Sequence, residues 1–193
     1  MSRTRREIDS LIPTSLRTLL LQGMDLFDEQ LLVVTDADLG RATPCSEWDV
    51  EALIRHTADT ADRATTILRG ETWAASTSRA PVKDRWNDAA VTLCELLAEV
   101  DLDDRWPLPD DSPNAKLRFH GCDFTVHRWD LARALGEEPV LPSGWVDYMD
   151  GFFESVPAEA LRRPRAFGPP IEPASTDGPT ERLMAFLGRS TRS

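Results

Sequence analysis

Few residues in this chain are suited to chemistry, because it has only three histidines, at positions 56, 120 and 127. Asp123 and His127 lie in a stretch, residues 121–136, that predicts one helix ending at a glycine. Their spacing of four places both side chains on one helical face about one turn apart, where a carboxylate and an imidazole can share a cation. His56 lies on the apolar face of another predicted helix. We therefore expect the two helices to meet in a bundle and His56, Asp123 and His127 to hold a divalent metal.

Two imidazoles and one carboxylate suit zinc, and also nickel or iron(II). Three protein ligands leave one coordination position for water or a substrate atom, as in catalytic sites. Asp130, three residues after His127, is spaced to orient a ligating imidazole by a hydrogen bond. The residues alone leave other interpretations open. An inward histidine such as His56 is commonly a core residue, and an Asp/His pair one turn apart is commonly a surface interaction.

The other candidates have simpler interpretations. Trp48 and Trp129 are core aromatics by default and, as the alternative, walls of a pocket beside the metal. His120 precedes a glycine at a predicted helix start and is interpreted as a turn or capping residue, with lining the pocket as the alternative. The three cysteines are widely spaced and fit neither a disulfide framework nor a zinc motif, and Cys122 is interpreted as a buried structural thiol.

Several helices must position these residues, and the apolar spacing predicts them. The first spans about 14–34 with Ser15 or Thr14 as its cap, the second runs from Ser46 as N-cap to about 69, and the third covers about 83–100. Residues 115–120 alternate and predict a short strand or an extended lead into the fourth helix. A fifth helix capped by Ser143 and a short last helix over 180–187 follow. We expect a single domain over 1–193, with 1–12 and 189–193 flexible.

The charge balance excludes some partners. With 22 basic and 33 acidic residues the net charge is −11, which disfavours nucleic acid and anionic membranes. No apolar run of about 18 residues predicts a transmembrane helix, and the N-terminal residues make a poor secretion signal. We expect a cytoplasmic protein. A homodimer through an exposed helix face stays open.

Three stretches together resemble a known family. The segment TPCSEWDVEALIRHTADTADR resembles the opening motif of the mycothiol-dependent maleylpyruvate isomerase family, within the DinB/YfiT-like metal-binding superfamily. DFTVHRWDLARALGEE resembles its second motif, and FGPPIEPASTDGPTERLMAFLGR resembles the tail of an uncharacterised metal-binding branch. The likeness extends over about residues 14–189. These motifs are specific for the family and not for one reaction.

The resemblance implies an all-α fold, a DinB-like up-and-down four-helix bundle with additional short C-terminal helices. It implies His56, Asp123 and His127 as ligands, zinc as the metal and mycothiol, a cytoplasmic small thiol, as a cofactor. Two features depart from the isomerase pattern. That pattern has glutamate where this chain has Asp123, and the C-terminal part is short and unlike that of the isomerase. Maleylpyruvate is therefore not implied as the substrate.

We expect a zinc enzyme that activates a small thiol for attack on an electrophilic substrate. Addition to a conjugated double bond, rotation and departure of the thiol would give isomerisation, whereas retention of the sulfur would give S-transfer. Trp48 and Trp129 would then flank the cofactor. The alternative is a non-catalytic metal-binding module with a regulatory or partner-binding role. A third candidate, a hydrolase using metal-bound water, lacks a clear general base in the sequence.

Overall fold

In a computed structural model of the protein, which describes residues 11–162 and 167–191, the regular elements are all helical. They are α1 (Leu16–Leu31), α2 (Val50–Arg69), α3 (Val82–Glu99), α4 (Leu117–Ala134), α5 (Ser143–Ser155), α6 (Ala158–Leu161) and α7 (Pro179–Phe186), with one 3-10 turn at Asp36–Asp38. An isolated bridge joins Ala42 to Asp49, and no strand forms in the described ranges. The prediction of an all-α, DinB-like bundle is confirmed.

Contacts divide the chain into two compact units. Thr14–Glu138 forms one unit and holds α1 to α4, and the described residues before 14 and after 138 form the other. The single domain over 1–193 stays a prediction. The flexible ends predicted at 1–12 and 189–193 fall mostly on residues 1–10, 192 and 193, which lie outside the described residues. No helix in the described part of the chain is both long and apolar enough to cross a membrane.

Helix α1 starts at the predicted cap. The Ser15 hydroxyl accepts a hydrogen bond from the Thr18 amide at 3.1 Å, and the Thr18 hydroxyl accepts one from the Ser15 amide at 2.8 Å, which is a reciprocal capping arrangement. The apolar stripe of α1 is buried, including Leu16, Leu20 and Phe27. The helix ends at Leu31, three residues short of the predicted end.

Helix α2 starts later than predicted. Its N-cap is Asp49, whose carboxylate accepts a hydrogen bond from the Ala52 amide at 2.8 Å, so the assignment of Ser46 as the cap was wrong. The physical reason is a turn before the helix, in which the Trp48 amide donates to the Cys45 carbonyl at 2.8 Å. The helix ends at Gly70, which has a φ of 67°, a conformation that favours glycine.

Helix α4 starts earlier than predicted, at Leu117, so the short strand or extended lead expected over 115–120 was wrong. The Arg118 guanidinium donates to the Leu108 carbonyl at 2.9 Å and pairs with Asp110, which ties this first turn to the preceding loop. Gly136 ends the helix with a φ of 86°, as predicted from its C′ position.

The four helices of the first unit do not simply alternate in direction. Gln30 near the end of α1 donates to Glu137 after α4 at 2.9 Å, and Gly23 in α1 lies against Gly121 in α4, so these two helices run parallel. Arg17 contacts the Val100 carbonyl at the end of α3, whereas Trp86 near the start of α3 reaches Asp28, so α3 runs against α1. His56 of α2 contacts Asp123 of α4, and Thr60, one turn later on α2, contacts Asp123 from the side away from His127, so α2 runs against α4. The order is therefore up, down, down, up, and not the simple up-and-down alternation that was expected.

The contact between α1 and α4 is unusually close. A Cβ atom on Gly23 would lie 2.8 Å from the Gly121 carbonyl oxygen, and one on Gly121 would lie 2.6 Å from Leu19 Cγ. Both distances are too short for a real side chain. The helices approach here because neither residue has one.

The second unit is built around α5 and α7. Trp145, Met149 and Phe153 of α5 are buried, as predicted for the inner face of this helix. Ser143 is the first residue of α5 and the cap position is Pro142, so the assignment of Ser143 as the cap was wrong by one residue. The Thr180 hydroxyl accepts a hydrogen bond from the Leu141 amide at 3.1 Å, which connects the start of α7 to the approach to α5.

Candidate metal centre

The three predicted metal ligands come together between α2 and α4. His56 Nε2 lies 3.2 Å from Asp123 Oδ2, and His127 Nε2 lies 3.3 Å from Asp123 Oδ1. One potential ligand atom from each residue lies within 4.8 Å of the other two. Asp123 and His127 are buried, and 21% of the His56 side chain is exposed. The cluster therefore has one side open to solvent, the side of His56.

The spacing of these donor atoms suits a small divalent cation. In a tetrahedral site with bonds of about 2.0–2.1 Å, neighbouring donor atoms are separated by roughly 3.3 Å. The two nitrogen–oxygen distances, 3.2 and 3.3 Å, are near that separation, and they end on different oxygens of the Asp123 carboxylate, Oδ2 and Oδ1. Two imidazoles and a carboxylate are also a common donor set for zinc enzymes. The residues therefore fit a metal, although hydrogen bonds between the same atoms would give similar distances.

Asp130 holds the imidazole of His127 from the other side. The ring Nδ1–H donates to Asp130 Oδ2 at 2.9 Å, and Asp130 is 0% exposed. In the neutral imidazole, this bond places the ring proton on Nδ1 and leaves Nε2, which faces Asp123, with the lone pair that a cation would use. The carboxylate–imidazole pair expected from the spacing of Asp130 and His127 is thus present in the structure.

Cys45 contacts Asp130, which the sequence did not reveal. Its thiol donates to Asp130 Oδ2 at 3.2 Å, across 85 residues of sequence. Cys45, His127 and Asp130 form a second cluster of potential ligand atoms, which shares His127 with the first. Because Asp130 already accepts from His127 Nδ1, we assign Cys45 to holding Asp130 in place.

The turn that carries Cys45 also covers the cluster with Trp48. The Thr43 hydroxyl donates to the Trp48 carbonyl at 2.8 Å and accepts from the Cys45 amide at 3.1 Å, which fixes the turn. The Trp48 ring centre lies 4.3 Å from that of His56 and 5.6 Å from that of His127. Trp48 is therefore a wall of the site, which matches one of its two sequence interpretations.

Trp129 lies elsewhere. It is two residues after His127, and residues so spaced point to different sides of a helix. Its ring is 2% exposed, and the nearest cation–ring contact is with Arg133, whose guanidinium carbon lies 5.8 Å from the ring centre. The structure therefore brings Trp48, and not Trp129, to the histidines.

The structure adds Thr60 to the surroundings of the candidate ligands and changes the position expected for His120. The Thr60 hydroxyl donates to Asp123 Oδ2 at 2.9 Å, and Thr60 is one turn after His56 on α2. His120 lies within α4, where its Nδ1–H donates to the Lys116 carbonyl at 3.0 Å, so its interpretation as a turn or capping residue was wrong. It is three residues before Asp123 and thus on the same face. That spacing was the available signal in both cases.

The charges in the cluster are strongly coupled. Burial acts to raise the pKa of Asp123, but the charge and hydrogen bonds of His127 and His56 outweigh it and hold this pKa well below its usual value. Burial acts to lower the pKa of His127, but Asp123 and the bonds to Asp130 and Cys45 raise it well above its usual value. Without a cation, the buried carboxylate is thus balanced by an imidazolium, so the site is arranged for positive charge.

Comparisons with known proteins relate the chain to a family and to individual proteins. A family model described as the mycothiol maleylpyruvate isomerase N-terminal domain matches residues 20–132, which include all three candidate ligands. Two Mycobacterium tuberculosis proteins, Uncharacterized protein Rv0738 of strain H37Rv and Uncharacterized protein MT0763 of strain CDC 1551, are each 28% identical over 186 residues, which cover 89% of this chain and 96% of each relative. No solved structure matches the chain significantly.

Proposed function

The chain belongs to the mycothiol maleylpyruvate isomerase N-terminal domain family, and from this premise we propose that it is a divalent-metal enzyme which activates a small thiol, mycothiol, for attack on an electrophilic substrate. Zinc is the metal we propose, with nickel or iron(II) as the other cations that this donor set accepts. The outcome would be isomerisation or S-transfer. The observation that carries the proposal is the convergence of His56, Asp123 and His127, each with one donor atom within 4.8 Å of the others.

The surroundings of the ligands support a reactive rather than a purely structural site. Structural zinc sites are usually closed by four protein ligands, whereas here three are available and His56 leaves one side partly exposed. A bound divalent cation would lower the pKa of a coordinated thiol, so that the thiol reacts as a thiolate. Asp130 would keep His127 in the required tautomer, and Trp48 would shield the reacting sulfur from water.

The reaction class follows from thiolate chemistry. The sulfur lone pair forms a bond to an electrophilic carbon, and the electrons of the attacked double bond move into the conjugated carbonyl of the substrate. If rotation follows and the thiolate leaves, the product is the geometric isomer and the thiol is regenerated. If the adduct takes up a proton and is released, the sulfur has been transferred. Both outcomes use the same residues of this chain.

Metal content tests the first half of the proposal. Elemental mass spectrometry on purified, zinc-reconstituted protein should give about one metal per chain in the wild type. His56→Ala and His127→Ala should lose it because each removes a donor atom. His120→Ala is the matched control, since it removes a histidine of the same helix face that is not a ligand. Equal metal content in all four proteins, or none in the wild type, would contradict the metal site.

Thiol turnover tests the second half. The zinc-loaded protein should form adducts between mycothiol and a conjugated carbonyl compound faster than a metal-free sample, and His127→Ala should remove the difference. A loaded protein that neither binds mycothiol in calorimetry nor accelerates the adduct would favour a non-catalytic metal-binding module. The two experiments therefore separate loss of the metal site from loss of catalysis.

A further inference from the structure

His127 lies between two clusters of potential ligand atoms, one at each nitrogen of its ring. Its Nε2 lies 3.3 Å from Asp123 Oδ1, in the cluster that includes His56. Its Nδ1 lies 2.9 Å from Asp130 Oδ2, and the Cys45 sulfur lies 3.2 Å from that same oxygen. One ligand atom from each of Cys45, His127 and Asp130 lies within 4.8 Å of the other two. We name these three residues the thiol cluster, because they include a sulfur donor that the candidate metal centre lacks.

The thiol cluster is enclosed by the protein and is not a chance group of surface acids. Asp130 is 0% exposed and His127 is 2% exposed. Cys45 is half-buried, forms no disulfide and belongs to the turn that the Thr43 hydroxyl holds. A cation would therefore enter from the side of Cys45 and meet a carboxylate and an imidazole that are already in place.

The distances within the thiol cluster are those of hydrogen bonds, and they are close to those of a cation site. With bonds of about 2.3 Å to sulfur and 2.0–2.1 Å to nitrogen and oxygen, a tetrahedral cation separates sulfur from oxygen by roughly 3.5 Å and nitrogen from oxygen by roughly 3.3 Å. The observed separations are 3.2 Å and 2.9 Å. Each would widen by about 0.3–0.4 Å for a cation of the size of zinc, and by somewhat more for a larger one. Small rotations of the side chains supply that change.

The two clusters compete for a single lone pair, because a neutral imidazole has one N–H and one unprotonated nitrogen. When Nδ1–H of His127 donates to Asp130, the lone pair is on Nε2 and faces Asp123. When the proton is on Nε2 and is donated to Asp123, the lone pair is on Nδ1 and faces the thiol cluster. A cation on one side of the ring therefore fixes the tautomer that closes the other side.

We propose that Cys45, His127 and Asp130 form an alternative site for a thiophilic divalent cation such as Cd²⁺, and that this site and the candidate metal centre are occupied one at a time. Thiolate ligands select soft cations, whereas two imidazoles and a carboxylate suit harder ones. On binding, the Cys45 thiol loses its proton to solvent, and the ring proton is on Nε2. The thiolate and the Asp130 carboxylate then neutralise the charge of the cation. A thiophilic cation bound here would displace the metal of the proposed enzyme.

The test uses cadmium, because a cadmium–thiolate bond gives an ultraviolet charge-transfer band that a cadmium bound only by nitrogen and oxygen does not give. Metal-free protein is titrated with Cd²⁺, and the affinities for cadmium and for zinc are measured by competition with a chelator. We expect the band to appear in wild type. His56→Ala should keep the band while losing zinc, since His56 belongs only to the candidate metal centre. Loss of the band in His56→Ala would overturn the assignment to the thiol cluster.

Cys45→Ser separates a ligand from a residue that only holds Asp130 in place. The serine hydroxyl still donates to Asp130, but it supplies no thiolate. Cadmium affinity should fall by more than the roughly 10- to 100-fold typical of a residue that orients a ligand, and the band should disappear, whereas zinc affinity should change only a few-fold. Cys94→Ser is the matched control, since Cys94 is an exposed cysteine of α3, and it should keep the band and both affinities. Equal losses of zinc and cadmium affinity in Cys45→Ser would overturn the site.

Competition between the two sites is measured on wild type and needs no variant. Cd²⁺ is added to zinc-loaded protein, and both metals are counted by elemental mass spectrometry after free ions are removed. Zinc should fall as cadmium and the band rise, with a sum of about one cation per chain. A sum of about two would overturn the exclusive occupancy, and uptake of cadmium without the band would overturn the site. A band that depends on Cys45 in a chain that holds no zinc would support the thiol cluster and contradict the metal centre of the proposed function.

Discussion

Replacing Asp130 tests how far the proposed metal centre depends on a residue outside the three candidate ligands. Asp130 is completely buried, and its Oδ2 accepts two hydrogen bonds, from His127 Nδ1 at 2.9 Å and from the Cys45 thiol at 3.2 Å. Groups that hold a ligating histidine in this way are typically worth 10- to 100-fold in metal affinity. From the hydrogen bonds of Asp130, the losses of metal affinity caused by two different substitutions at this position can be ranked within that range.

Asp130→Asn keeps a carbonyl oxygen that can still accept from His127 Nδ1–H and removes only the negative charge. We expect zinc affinity to fall about tenfold, or roughly 1.4 kcal/mol. Asp130→Ala removes the acceptor as well, so that the buried ring N–H loses its acceptor and the Cys45 thiol loses its bond to Asp130 Oδ2. The expected loss is then about 100-fold, or roughly 2.7 kcal/mol.

The assay is competition for zinc against a chromophoric chelator at fixed pH, with circular dichroism on each protein to confirm that it is folded. Asp88→Asn is the matched control, because Asp88 is an exposed acid of α3 and its loss changes the net charge equally. If both Asp130 variants bind zinc within twofold of wild type while remaining folded, the imidazole of His127 does not need Asp130. The assignment of that carboxylate to orienting a ligand would then be wrong.

Two further predictions concern the cysteines. Cys45→Ala should lower zinc affinity several-fold by releasing Asp130, whereas Cys45→Ser should lose less because a hydroxyl also donates; identical competition curves for the two variants and wild type would contradict this role. In labelling with a thiol reagent, Cys94 should react in the folded protein because the residue is exposed. Partial burial of its sulfur and the charges of Asp25 and Asp28 raise its thiol pKa, so the rate should increase as the pH rises into the alkaline range. Cys122 should react only on unfolding, since complete burial raises its pKa well above the usual value; labelling of Cys122 at the rate of Cys94 in native protein would refute this.

The sequence predicted the bundle and the approach of the three candidate ligands because both depend on regular spacing. His127 and Asp123 share a face through a spacing of four, and the apolar stripe around His56 turns it inward. The contact of Asp130 with His127 follows from the same helical spacing. Whether these residues bind a metal remains a prediction, because spacing and proximity do not distinguish a ligand set from a hydrogen-bonded cluster.

The contacts made by irregular segments were not predictable in this way. Cys45 reaches Asp130 from a turn whose conformation depends on the Thr43 hydroxyl, and no periodic pattern describes such a turn. Because of the same turn, the N-cap of α2 is Asp49 and not Ser46. Trp73 likewise meets Arg63 from a connection between helices. Side chains on loops are positioned by specific hydrogen bonds, and the sequence pattern does not specify their direction.

Within helices, the differences between the sequence-based expectations and the structure have a simpler cause. Thr60 and His120 follow from the spacing already used for the ligands, so extending each row by one turn would have included them. Trp129 was considered as a pocket wall beside the histidines, but it is only two residues after His127 and therefore lies on a different side of α4. Residues 115–120 alternate over too short a stretch to distinguish a strand from the first turn of a helix.

The close contact of Gly23 and Gly121 affects how precisely the candidate metal ligands are positioned. Asp123 and His127 lie on the same helix as Gly121, which packs closely against α1. A Cβ atom at Gly23 or Gly121 would push the two helices apart, so the position of α4 depends on glycine at both places. Metal and catalytic geometries tolerate errors of only about 0.5 Å. The Gly121 carbonyl lies directly against Gly23, and Gly121 itself lies against the Leu19 side chain, so this contact limits how closely α4 can approach α1. The contact on one side of α4 thereby sets the position of the candidate ligands on the side that faces α2.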